Sequence, residues 1–197
     1  MVLVVGLQNP GSKYEATRHN LGGRIVGLLA DRHGASFKKA RRFISAEVAE
    51  LATPAGRIVA AIPTTFMNES GNAVAPLARY YKAENDTLMV VHDDIDLPFA
   101  KLRVQKGGGA GGNNGVKSIA KSLKTQDFWR LKCGVGRPPG RMDPANFVLR
   151  PFASSEREEI DLMVQYAVDL IEMYVAEGGD AARQRAGEVN ALLREDT

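Results

Sequence analysis

A histidine can accept a proton near neutral pH, and a carboxylate can hold its ring in one tautomer and orientation. His19 and Asp93 are the pair this sequence offers for that work. His19 lies in Arg18-His19-Asn20, just ahead of an apolar-periodic stretch, and Asp93 follows the apolar run Leu88 to Val91. Asn9 begins the loop that His19 ends, beside Pro10-Gly11, where Pro fixes φ and Gly tolerates a positive one. Asn9 and His19 therefore meet at the carboxyl edge of a first strand, Val2 to Val5, the edge where open α/β sheets bind ligands. The same residues also serve as a plain turn and a helix start, with Asn20 a good N-cap.

Other chemistries fit less well. There is no G-x-S-x-G elbow, and Ser118-x-x-Lys121 lies in a lysine-striped helix without the companion motifs of S-x-x-K enzymes. Cys133 sits in a strand pattern as a small core residue. A hydrolase built from this chain would use water activated by a base, with His19 as that base and Asp93 as its orienting carboxylate. His92-Asp93-Asp94-x-Asp96 offers oxygens to a divalent metal, the lesser reading, because adjacent side chains on a strand point to opposite faces. Gly107-x-Gly109-x-x-Gly112 matches a dinucleotide fingerprint, but Asp127 precedes the next strand instead of ending it. What remains is a glycine loop opening a basic helix, able to bring backbone N–H groups close to phosphate.

Several elements must position these residues. The spacing predicts a helix from Leu21 with Gly34 as its stop, and a hairpin of Ala46–Leu51 and Arg57–Ile62 around Thr53-Pro54-Ala55-Gly56. It also predicts a helix capped by Ser70 and running to Tyr81, with Pro76 shifting its start or kinking it, and strands at 88–91, 101–104 and 129–135. A helix covers Asn114–Leu123, and a Ser155-x-x-Glu158 capping box opens a long helix to Glu177. A last helix spans about Ala181 to Leu193. Strands alternating with helices, plus a hairpin, imply an α/β fold: a single globular domain over residues 1–197 with a twisted mixed β-sheet flanked by helices.

The chain has 197 residues, 44% of them hydrophobic and 25% charged, enough for one domain with a full core. No apolar run reaches membrane-spanning length, and the first twenty residues lack a signal-peptide layout. The single cysteine suits a reducing cytoplasm. The net charge of +3 is unevenly spread. Residues 101–142 hold ten basic groups and one acid, a net +9, whereas residues 155–197 hold eleven acids and four basic groups, a net −7. A basic block of that density suggests a polyanionic partner. Phe37 to Ile44 adds a second basic surface, Lys38, Lys39, Arg41 and Arg42 among aromatics.

Four motifs in order carry a specific resemblance: N-P-G-x-x-Y-x-x-T-R-H-N at Asn9–Asn20, F-M-N at Phe66–Asn68, H-D-D at His92–Asp94 and G-G-G-x-G-G-x-N-G at Gly107–Gly115. Nearly the whole chain resembles bacterial peptidyl-tRNA hydrolase. The resemblance implies a monomeric cytoplasmic esterase, without cofactor or metal, that cuts the ester between a peptide and the terminal ribose of tRNA. By position His19 matches the catalytic base and Asp93 its partner. Asn9, Asn68 and Asn114 match residues holding substrate and water, while Tyr14 and Phe66 match contacts near the tRNA end. Lys101, Arg103 and Lys132 fall where the family meets tRNA phosphates. Three positions depart from the pattern: Asn113 replaces a histidine, Gln8 a glycine, and Gln105 a frequent basic residue. Two other classes stay open beside this one, an RNA-binding module without chemistry and a nucleotide-binding oxidoreductase.

Overall fold

Val2 to Val5 are apolar without alternation because β1 (Val2–Gly6) is covered on both faces. Leu3 and Val5 enter one core and Val4 the other. The computed structural model describes residues 1–195. After β1 come α1 (Leu21–Arg32), β2 (Lys38–Lys39), β3 (Ala46–Thr53), β4 (Gly56–Pro63), α2 (Ser70–Tyr81) and β5 (Leu88–Asp94). β6 (Leu102–Lys106), α3 (Asn114–Leu123), β7 (Trp129–Gly134), α4 (Pro144–Val148), α5 (Arg157–Glu177) and α6 (Gly179–Glu195) follow. One mixed sheet runs β2-β3-β4-β1-β5-β7-β6. β4, β1, β5 and β7 are parallel neighbours, while β2–β3, β3–β4 and β6–β7 are antiparallel. The α/β single-domain fold expected from the pattern is the observed one, with α1, α5 and α6 packed on one core and α2 and α3 on the other.

The four parallel strands aim their carboxyl ends the same way, so the loops after β1, β4 and β5 share one edge. Close contact fixes the first of them. A Cβ on Gly22 would lie 2.2 Å from the Val91 carbonyl and one on Gly6 would lie 2.3 Å from the Gly22 carbonyl. Only glycine lets α1 rest directly on the ends of β1 and β5.

The structure corrects several local expectations. Asn20 does not cap α1, because both ends of its side-chain amide bond Asn9; a short 3₁₀ turn, Arg18–Asn20, leads into the helix instead. Ser70 is the first residue of α2 and its hydroxyl donates to the Met67 carbonyl at 2.8 Å. Ser155-x-x-Glu158 is not the box that opens α5: the Glu156 carboxylate accepts the Ala153 N–H at 2.6 Å, two residues earlier than expected at each end. Pro76 is accommodated inside α2. β5 runs on through Asp94, so Asp93 is held by a strand.

Candidate active site

His19 sits on the turn that closes the β1–α1 loop, and the Asn9–Asn20 pair staples that loop's two ends. The Asn9 N–H donates to Asn20 Oδ1 at 2.8 Å, and Asn20 Nδ2 donates to the Asn9 carbonyl at 2.9 Å. Asn9 Oδ1 accepts the Met67 N–H at 2.9 Å, which ties the β4–α2 loop to the same point and leaves Asn9 Nδ2 for the cavity.

His19 Nδ1 meets Asp93 Oδ1 at 2.8 Å, with side chains only 12% and 3% exposed. Burial of the ring works against its charged form, but the charge of Asp93 and its hydrogen bond outweigh that and raise the His19 pKa. With Nδ1 committed to the carboxylate, Nε2 is the nitrogen left for a reacting group. Asp93 Oδ1 has a second donor. Asn113 Nδ2 lies 3.1 Å away, while Asn113 Oδ1 accepts the N–H groups of Gly115 and Val116 at 3.0 and 3.1 Å. One buried amide thus caps α3 and braces the carboxylate.

Two arginines hold the surroundings. Arg18, 6% exposed, donates to the carbonyls of Arg150 and Pro151 at 3.3 and 2.5 Å and to Glu156 at 2.7 Å. Its guanidinium lies over the rings of Phe147 and Phe152, at 4.3 and 4.9 Å. The α4 segment is thereby docked onto the His19 turn. Arg130, 1% exposed, donates to the carbonyls of Gly107, Gly108 and Gly109 and pins the start of the glycine loop.

Between these walls lies a cavity of about 610 Å³. Asn9, His19, Asn68, Asp93, Asn113 and Asn114 give it polar groups, with Asp143 at the start of α4, and Met67, Ile95, Pro144, Val148 and Leu149 an apolar side. A base, its carboxylate and several amides therefore face one volume, a constellation suited to attack by water on a carbonyl whose flanking groups are neutral.

Of the residues singled out from sequence, His19, Asp93, Asn9, Asn68 and Asn114 converge on this cavity. Tyr14 and Phe66 do not line it; they pair with each other, their rings edge-to-face at 6.5 Å. The basic residues lie apart: Lys101 Nζ is 3.4 Å from the Asn190 carbonyl, and Arg103 is exposed in register with Lys132. Lys132 Nζ is held by Asp94 Oδ2 at 2.7 Å. Burial works against the Asp94 carboxylate, but the Lys132 bond outweighs it and lowers its pKa. Asp96 pairs with Arg137. The acids of the H-D-D-x-D stretch thus part to different partners, and among the described residues no three His, Cys, Asp or Glu come together as a metal site. The glycine loop and α3 join the antiparallel strands β6 and β7, not the parallel strands of a dinucleotide unit. Arg18 and Met67 lie inside the quoted motifs and Arg130 in the basic block with no role attached to them there, and the α4 wall carries no motif. Asp143-Pro144 was the available signal for α4, since the Asp143 carboxylate accepts the Asn146 N–H at 3.1 Å and caps it.

The sequence model of the peptidyl-tRNA hydrolase family matches residues 3–192. The chain belongs to that family and is a hydrolase. It is 46% identical to the peptidyl-tRNA hydrolase of Rhodococcus erythropolis, covering 93% of this chain and 96% of that one. It is 48% identical to that of Frankia casuarinae, covering 93% and 92%. The crystal structure of the Acinetobacter baumannii peptidyl-tRNA hydrolase superposes with a TM-score of 0.87 at 30% identity over 94% of each chain. Among the described residues no helix is long and apolar enough to cross a membrane.

Proposed function

We propose that this chain hydrolyses the ester joining a peptide to the terminal ribose of tRNA, as a cytoplasmic monomer working through residues 1–197 as one unit, without metal or cofactor. The observation that carries the reading is the 2.8 Å His19–Asp93 contact on the wall of a cavity whose other polar side chains are four amides and the exposed Asp143. A water beside His19 Nε2 attacks the ester carbonyl and passes its proton to the imidazole, and Asp93 stabilises the imidazolium that forms. As the tetrahedral intermediate collapses, the ribose oxygen leaves with that proton, giving free tRNA and a peptide carboxylic acid, which loses its remaining proton to solvent. Asn9, Asn68 and Asn114 hold the peptide and the water, and Tyr14 and Phe66 take the terminal nucleoside. Lys101, Arg103 and Lys132 belong to the surface assigned to tRNA phosphates; of these Arg103 is the exposed one, while Lys132 acts through Asp94.

Selectivity for an N-blocked substrate has a physical basis in the same cavity. Amides pair with a peptide N–H or C=O but do not neutralise an ammonium group, and an unpaired buried charge is costly. Of the other acids nearby, Asp94 and Asp96 are occupied by Lys132 and Arg137, and Asp143, on the solvent-exposed α4 rim of the cavity, accepts the Asn146 N–H at 3.1 Å. The test is kcat/KM for one aminoacyl-tRNA with and without an N-acetyl group, corrected for spontaneous hydrolysis. A strong preference for the blocked form, lost in His19→Ala, is expected; equal rates for both forms refute the reading.

A further inference from the structure

Phe43 is 89% exposed and has a φ of 74°, a left-handed conformation uncommon for a bulky residue. The chain holds this ring out in water on a loop rich in cations. Lys38, Lys39, Arg41 and Arg42 are all exposed, and none forms an ion pair among the described residues. Arg42 lies over the Phe43 ring at 5.1 Å and Arg41 over the Tyr80 ring at 5.2 Å. Cations interleaved with exposed rings are the chemistry of unpaired nucleic acid, whose bases stack while its phosphates pair.

The loop is also continuous with the site. The Thr64 N–H donates to the Ser45 carbonyl at 2.9 Å, with Phe43 two residues before that bond and Phe66 two residues after it. The apolar wall of the cavity, Ile95 with Pro144, Val148 and Leu149, accommodates the acyl part of an ester attacked at His19. The nucleotide part is then assigned to Tyr14 and Phe66, from which the Ser45–Thr64 bond links the chain to Phe43.

We infer that β2 and the turn after it, residues 38–43, form an additional RNA-binding element, which takes the unpaired 3′ segment of the tRNA with one base stacked on Phe43 and its phosphates on Arg41 and Arg42. The inference rests on the tRNA reading proposed above. A duplex would leave the ring without a base face to cover it, and an acidic peptide would use the cations alone.

Two measurements test it. In the first, a hairpin RNA with an unpaired 3′ overhang and its blunt counterpart are titrated against wild type, Phe43→Ala and Phe43→Trp. The overhang tightens binding to wild type, Phe43→Ala loses about 5-fold or more of that gain, and Phe43→Trp restores it. In the second, Phe43→Ala raises KM for N-acetylaminoacyl-tRNA by a similar factor with kcat unchanged, and does not alter hydrolysis of an N-acetylaminoacyl ester of adenosine alone. Equal overhang gain in wild type and Phe43→Ala overturns the inference, as does an equal loss on overhang and blunt RNA. A protein that hydrolyses neither ester but still loses the overhang gain in Phe43→Ala would refute the proposed function and leave this binding element standing.

Discussion

At His19 two effects oppose each other, and the larger sets a measurable pH limb. Burial disfavours the imidazolium, and Asp93 more than compensates, so the His19 pKa stands above the ordinary 6.5. A general base must be neutral, so kcat/KM should fall as pH drops through that raised value, earlier than for an ordinary histidine. Asp93→Asn removes the raising partner and keeps the burial, and its acid limb should move to lower pH while kcat falls. A limb unmoved in Asp93→Asn would mean another group titrates. The sign for stability follows from the same shift: the charged pair's contribution is full below 6.5 and fades as pH rises through the folded pKa. His19→Ala should cost about 10²- to 10⁴-fold in kcat with RNA affinity retained.

Asn113 carries a separate residue-level prediction. Asn113→Ala removes both the α3 cap and the second donor to Asp93, so it should lose stability, about 0.5–2 kcal/mol for the cap, and also lower kcat. Asn113→Asp keeps an acceptor for the cap but places a second carboxylate beside Asp93. The added negative charge should push the His19 limb to higher pH, with smaller loss of thermal stability than in the alanine variant. Profiles of kcat/KM against pH for the three proteins check this. The sequence showed Asn113 only as a residue out of pattern; its bond to Asp93 spans twenty positions, and no local spacing displays such a contact.

At the scale of elements, the site depends on backbone contacts as tight as any in its core. Gly22→Ala would set a Cβ 2.2 Å from the Val91 carbonyl and 2.7 Å from the Leu7 N–H, both backbone atoms that cannot swing aside. Overpacking of this kind costs about 1–3 kcal/mol, so thermal denaturation should shift downward, and with α1 displaced the His19 turn should lose activity too. Gly27, whose Cβ would meet nothing, is the control: Gly27→Ala should be neutral or stabilising. The long elements were legible because their apolar periods are long. α2, α3 and α5 fall where the pattern put them, within a residue or two, and so does the short β1, read from an unbroken apolar run instead of a period. β2 has two exposed residues and no period to read, and α4 is little more than a single turn. The start of α1 at Leu21 was legible but its cap was not, because the side chain that suits a cap is recruited by a distant partner, Asn20 by Asn9.

Over the whole molecule the charges sort into surfaces that local sequence reading merges. The +9 block of residues 101–142 is contiguous in sequence but not in role. Arg130 is buried under the glycine loop, Lys132 is 14% exposed against Asp94, and Lys106 pairs with Asp86 at 2.6 Å. Arg103, Lys117, Lys121 and Lys124 remain outside any ion pair among the described residues, and all four are exposed. Strand pairing decides this division, because the antiparallel return of β6 beside β7 sets which side chains face the loop, and pairing is not written in any one segment. The consequence is a split in salt behaviour. Neutralising one phosphate-binding cation should lower the log–log slope of binding against salt by about 0.9 on duplex RNA or 0.7 on single strands. Arg103→Gln with Lys117→Gln and Lys121→Gln should therefore flatten the dependence of KM on salt while leaving thermal stability intact. Lys132→Gln should do the reverse. It strands the Asp94 carboxylate, which is 3% exposed, so the protein should lose stability, on the order of 3–5 kcal/mol for a broken buried pair, with the salt slope nearly unchanged. Adding Asp94→Asn to Lys132→Gln should recover much of that loss. A flattened slope in Lys132→Gln without destabilisation would instead make Lys132 a direct phosphate contact and Asp94 only its resting partner.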